Sequence, residues 1–130
     1  MKAANGKKSL FVVVDWVAGA TKNDHWFTDR NGRVRKTYRS IDYRDALIVQ
    51  LKNAYQHKGW RFDCGKKMFV DVTLMKQDTP RDRKKDVANL IDGVCDAVKK
   101  AIEIDDAWYA GRYDWDWTDA PCHILVEVWQ

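Results

Sequence analysis

At 130 residues and 45% hydrophobic, the chain is sized for one globular domain, residues 1–130, with a core of its own. A formal net charge of +4 and a pI near 9.0 favour polyanions only weakly, so a nucleic-acid reading depends on where the charges lie. Cys64, Cys95 and Cys122 are an odd number without CxxC spacing, which excludes a disulfide framework and a zinc knuckle; the apolar run Leu10–Val14 is too short for a signal-peptide core or membrane span, so a protein of the cytoplasm with reduced thiols is expected.

The first periodic element is Ser9–Val17, whose β-branched run Val12–Val14 predicts a strand buried on both faces. Between Ala18 and Ser40 the many charges, with Gly19, Asn23, Asn31 and Gly32, predict an extended, ribbon-like connection turning at Asn31-Gly32. Ser40 is placed to cap a helix running to about Lys58, because Tyr43, Leu47, Leu51 and Tyr55 recur at four-residue steps and Gly59 supplies a stop. Lys67–Met75 alternates as a half-buried strand does.

Pro80 then breaks the chain. From Asp86 to Lys100, Val87, Leu90, Ile91, Val94 and Val98 fall on one helical face and Asn89, Asp92 and Asp96 on the opposite one. The alternation in Ala107–Trp117 predicts a strand, and His123–Trp129 predicts a closing strand. The order specifies an α/β (α+β) protein, a small mixed sheet with two helices packed on it.

Charge is unevenly distributed. Residues 30 to 44 carry Arg30, Arg33, Arg35, Lys36, Arg39 and Arg44 against Asp42, whereas Asp105 to Asp119 carries five aspartates against Arg112. Between them the basic lead-in Arg81, Arg83, Lys84, Lys85 meets Asp86, Asn89, Asp92, Asp96 and Asp105-Asp106. Carboxylates beside cations suit a hard cation such as Mg²⁺ and a phosphate backbone, the requirements of phosphodiester cleavage. His25, His57 and His123 have no ligand-like spacing, which disfavours a His-based nuclease.

Asp86-Val87-Ala88-Asn89-Leu90, then Asp96-Ala97, then Asp105-Asp106, resembles the motif of the RusA-type Holliday-junction resolvases, common in phages and prophages. Lys22-Asn23 and Tyr43-Arg44 fall where that family has an Asn-containing loop and a Tyr-Arg near the first helix. The resemblance implies a small α/β homodimer in a bacterial host that makes paired, Mg²⁺-dependent nicks in four-way or branched DNA. Mn²⁺ is expected to substitute, and no organic cofactor or membrane is expected. It implies metal ligation by Asp86 and Asp106, with Asp105, and DNA contacts from Lys22, Asn23, Arg33, Arg35, Lys36, Lys84, Lys85 and Asn89.

The chain departs from the pattern twice. Ala88 stands where the family has its second aspartate, and Asp92 where well-studied members have a lysine, which makes Asp92 a candidate substitute ligand in the catalytic set. An inactive, junction-binding relative is the alternative that Ala88 leaves open. Asp86 also reads as a helix N-cap, and Asp105 and Asp106, if extended, point apart so that one faces the metal. Trp16, Trp60, Trp115 and Trp129 read as core or dimer packing, and Trp26 as a wedge at a junction centre.

Overall fold

The structure, a computed structural model, describes residues 7–16, 26–28, 30–36 and 38–130, with the side chains of 26–28 and 34–43 outside the description. In chain order they form β1 (Ser9–Asp15), β2 (Trp26–Thr28), β3 (Val34–Lys36), α1 (Tyr38–Gln56), β4 (Met68–Lys76), α2 (Pro80–Arg83), a 3₁₀ turn (Val87–Leu90) and α3 (Ile91–Ile102). A second 3₁₀ turn (Asp106–Trp108), β5 (Tyr109–Ala110), β6 (Tyr113–Trp117) and β7 (His123–Trp129) complete the chain.

The C-terminal strand does not close the sheet; it lies at its centre. β7 pairs antiparallel with β1 on one side and with β4 on the other, and β4 pairs parallel with β5 and β6. The parallel step follows from α3, which carries the chain from the end of β4 back to its start, as a parallel neighbour requires. The mixed α/β sheet with helices packed on it is therefore as the sequence pattern predicts.

Leu10, Val12 and Val14 of β1, Met68, Val70, Val72 and Leu74 of β4, and Ile124, Val126 and Val128 of β7 are all buried. They form one core with Leu47 and Leu51 of α1 and Leu90, Val94, Ala97 and Val98 of the α3 unit. The alternate residues make the sheet's other face. There β1 departs from expectation: Phe11 is 55% and Val13 46% exposed, so the strand is buried on one side only. A β-branched run has the same look in a central strand and in an edge strand, and β1 is at the edge.

The basic connection does fold as a ribbon, β2 pairing antiparallel with β3 around a turn in which Gly32 has φ +77°. Helix α1 begins at Tyr38, so Ser40 is inside it rather than at its cap. Pro80 does not break the chain but opens α2, where Thr79 Oγ1 accepts the Asp82 N–H at 3.2 Å. Among the described residues, no helix is long and apolar enough to cross a membrane.

Candidate functional site

Asp86 precedes the 3₁₀ turn in extended backbone, and its Oδ1 accepts the Ala88 N–H at 3.0 Å. The capping role read from the sequence is therefore realised. The turn leads into α3, which ends at Ile102, and Asp105-Asp106 follow that end. Asp86 and the Asp105-Asp106 pair thus flank opposite ends of a helix roughly 18 Å long at the usual helical rise. One chain does not gather Asp86, Asp105 and Asp106 at a single point, and among the described residues no three His, Cys, Asp or Glu side chains converge as a metal-holding group.

Asp105 and Asp106 do not point apart. Glu103 takes a left-handed conformation (φ 63°) as it ends α3, its N–H donating to the Lys99 carbonyl at 2.9 Å, and the chain then enters the 3₁₀ turn opened by Asp106. This reversal replaces the extended geometry in which neighbouring side chains diverge. Both carboxylates reach Lys99 Nζ, at 3.5 Å from Asp105 and 3.9 Å from Asp106. The Asp105 carboxyl is held below its ordinary range, first by a hydrogen bond with the Asp106 carboxyl, then by the Ala107 N–H and the Lys99 charge.

Asp92 is exposed in the first turn of α3, and its charge, like that of Asp106, acts on the Cys95 thiol. Burial above all, then Asp106 and Asp92, push that thiol up to about 11, so Cys95 stays protonated at neutral pH. Cys95 and Ile91 form one wall of a cleft of about 230 Å³, whose other wall is Tyr109–Tyr113 and Val70. Tyr109 donates its hydroxyl proton to the Ile104 carbonyl at 2.7 Å, and burial raises its pKa. Arg112 is the charged residue in the lining of this largely apolar cleft.

The remaining expected residues are scattered. Asp96 is structural, paired with Arg44 of α1 at 3.2 Å. Lys85 is committed inward rather than to phosphate: its Nζ is 2.6 Å from the buried Asp82 and 4.5 Å above the Trp16 ring. Lys84 is exposed, Asn89 half-buried in the 3₁₀ turn, and Arg33 exposed next to the hairpin turn. Lys22, Asn23 and the side chains of Trp26, Arg35 and Lys36 lie outside the described residues. His57 Nδ1 lies 2.6 Å from the Asn53 carbonyl and His123 Nδ1 2.8 Å from that of Pro121, each a local backbone contact.

Sequence reasoning missed the interior polar group around Asp82. Its Oδ2 accepts the Gln77 N–H at 2.9 Å while Oδ1 takes Lys85. Lys76, 6% exposed at the end of β4, donates to the Lys85 carbonyl at 3.1 Å and lies 4.3 Å above the Trp115 ring. The signal was available in the alternation of β4, which sends Lys76 to the same side as Val72 and Leu74.

No protein-family model matches the chain, and no curated protein does. Among solved structures, a 2C-methyl-D-erythritol-2,4-cyclodiphosphate synthase is similar over 78% of this chain, at 14% identity and a TM-score of 0.29. The chain spans 56% of that protein's length, and so slight a likeness carries no argument about function.

Proposed function

We propose that the chain is a RusA-like endonuclease that nicks four-way and other branched DNA as a homodimer, using Mg²⁺ or Mn²⁺. The observation that carries this reading is the exposed Asp105-Asp106 carboxyl pair beyond the end of α3, both carboxylates reaching Lys99. Mg²⁺ is commonly held by one or two protein carboxylates together with waters and substrate phosphates, rather than by a closed protein cage, and the Asp105-Asp106 pair fits that habit. Bound there, the ion would supply an activated water and offset charge on the scissile phosphate. Asp106 and Asp105 would serve as its ligands, and Lys99 neutralises the pair and offers a cation to the DNA backbone; Asp92 stays the candidate substitute for the acid missing at position 88, although its side chain does not converge with the pair into a three-acid group. A two-fold dimer suits a four-way junction, because opposed paired incisions leave ligatable duplexes.

A second reading, junction binding without cleavage, is favoured by position 88 itself. Ala88 is exposed and brings no ligand, and the Asp86 carboxylate beside it is engaged as a cap. Labelled four-way junction and matched linear duplex, incubated with and without Mg²⁺ and run on native and denaturing gels, decide between the two. Symmetric metal-dependent nicks in the junction alone are expected. Asp106→Asn should abolish them while leaving junction binding intact, and normal cutting by that variant would move the site elsewhere. If the wild type binds junctions without nicking, Ala88→Asp should raise cleavage by orders of magnitude; an unchanged rate would remove position 88 from the metal's reach.

A further inference from the structure

We propose that the aromatic row of β6, Tyr113, Trp115 and Trp117, is a stacking platform for unpaired nucleobases of single-stranded DNA. Strand β6 pairs with β4 in a register that sets Tyr113 beside Val72, Trp115 beside Leu74 and Trp117 beside Lys76. The three rings therefore point to the side that the helices cover elsewhere, yet they stand beyond that cover. Tyr113 is 57% exposed and both tryptophans are 45% exposed. So much exposed aromatic surface on one short strand is uncommon in a protein without a partner for it.

Three further observations specify that partner. First, the strand is closed to another strand. Thr118 N–H donates to Lys76 and Arg112 accepts from Val72, so by alternation Tyr113, Trp115 and Trp117 turn their N–H groups to the free edge. There the Trp115 N–H donates to Asp114 Oδ1 and the Trp117 N–H to Asp116 Oδ1, each at 2.8 Å. An edge whose donors are taken by its own carboxylates resists strand addition, which leaves the ring surfaces as the available feature.

Second, the rings are held rather than loose. Trp115 and Trp117 meet edge to face at 4.8 Å, and Lys76 Nζ is 4.3 Å from one centroid and 5.7 Å from the other. A fixed, cation-backed indole loses little conformational freedom when a base stacks on it. Third, Lys76 is on the face the rings occupy, whereas Asp114 and Asp116 of the same strand alternate to the opposite face, beside Thr73 and Met75. Lys76 Nζ bonds to the Lys85 carbonyl, which brings the α2 segment alongside, and Arg81 and Lys84 of that segment are exposed and carry no ion pair among the described residues. Aromatic rings backed by Lys76, with Arg81 and Lys84 exposed on the adjoining segment, suit a polyanion with accessible π faces, as single-stranded DNA is.

The choice of DNA rests on the branched-DNA reading, but the test needs no nicking. Anisotropy titrations of a labelled oligo-dT and of a matched duplex, without divalent metal, are compared for the wild type, Tyr113→Ala, Trp115→Ala, Trp117→Ala, and Trp115→Phe with Trp117→Phe. Oligo-dT affinity should fall about tenfold or more for each tryptophan replaced by alanine, with duplex affinity nearly unchanged and the phenylalanine variants retaining most of it. Lys84→Ala should lower the salt slope for oligo-dT by about 0.7. Unchanged oligo-dT affinity, or an equal loss for duplex, would overturn the platform. So would sedimentation showing that these variants turn a dimer into monomers, since the rings would then be an interface between copies. Intact oligo-dT binding in a protein that nicks nothing would leave the platform standing and sink the nuclease reading alone.

Discussion

Asp82 is only 5% exposed, and both of its oxygens are engaged, one by Lys85 and one by the Gln77 N–H. The hydrogen bond from Lys85 lowers its pKa below 3.8 and outweighs the burial that raises it. A carboxylate with a depressed folded pKa contributes stability that is fully present above its unfolded value and is lost as pH falls through the folded one. Unfolding by urea should therefore show stability declining below about pH 3.8, where the unfolded chain begins to bind this proton first. Asp82→Asn should cost about 2–3 kcal/mol at pH 7, because Lys85 is left buried without its counter-charge, and should flatten the acid limb. If the variant matches the wild type at pH 7, Lys85 finds another partner and the pair is not what holds α2 to the sheet.

At the scale of elements, two of the positions with positive φ, Glu103 and Gly111, predict opposite outcomes. Glu103 ends α3 in the left-handed region at φ 63°, where a side chain is disfavoured, so Glu103→Gly should raise stability by about 0.5–1 kcal/mol. Gly111 has φ +139°, and a Cβ there would come 2.1 Å from the Val70 carbonyl oxygen. Gly111→Ala should cost on the order of 3 kcal/mol and loosen β5 and β6 from β4, seen as lost amide protection at Val72 and Thr118. Tolerance of that alanine would mean the β5–β6 segment is free to shift. Periodicity made β4, β7, α1 and the α3 unit legible, because each alternates burial at its own spacing. It did not tell edge from centre: β1 read as buried on both faces and β7 as a closing strand, the reverse of their places in the sheet, and Trp115 read as core or dimer packing where the register leaves it exposed. Nor did it foresee that the turn after Glu103 brings Asp105 and Asp106 together, since sequence adjacency alone cannot distinguish a turn from an extended segment. The capping role of Asp86 was legible; the separation of Asp86 from Asp106 by the length of α3 was not, because a motif lists residues in order and says nothing about which end of a helix they occupy.

The whole molecule sets its acids and bases in different places, and this has a consequence for binding that is separate from chemistry. Asp92, Asp105 and Asp106 repel a phosphate backbone whenever no cation sits among them, whereas Arg81 and Lys84 attract it. Junction affinity measured in chelator should therefore rise modestly on Asp105→Asn with Asp106→Asn, and less so as salt is raised, because each exposed charge is screened. Adding Mg²⁺ should tighten binding of the wild type relative to this double variant, since only the wild type gains from neutralising its carboxylates. The measurement is a junction titration by anisotropy across a salt series, with and without Mg²⁺. A double variant that loses affinity in chelator would mean these carboxylates hold the fold of the α3 end rather than face the DNA. Equal responses of both proteins to Mg²⁺ would place the metal's effect on the DNA alone and leave the Asp105-Asp106 pair as a surface turn neutralised by Lys99.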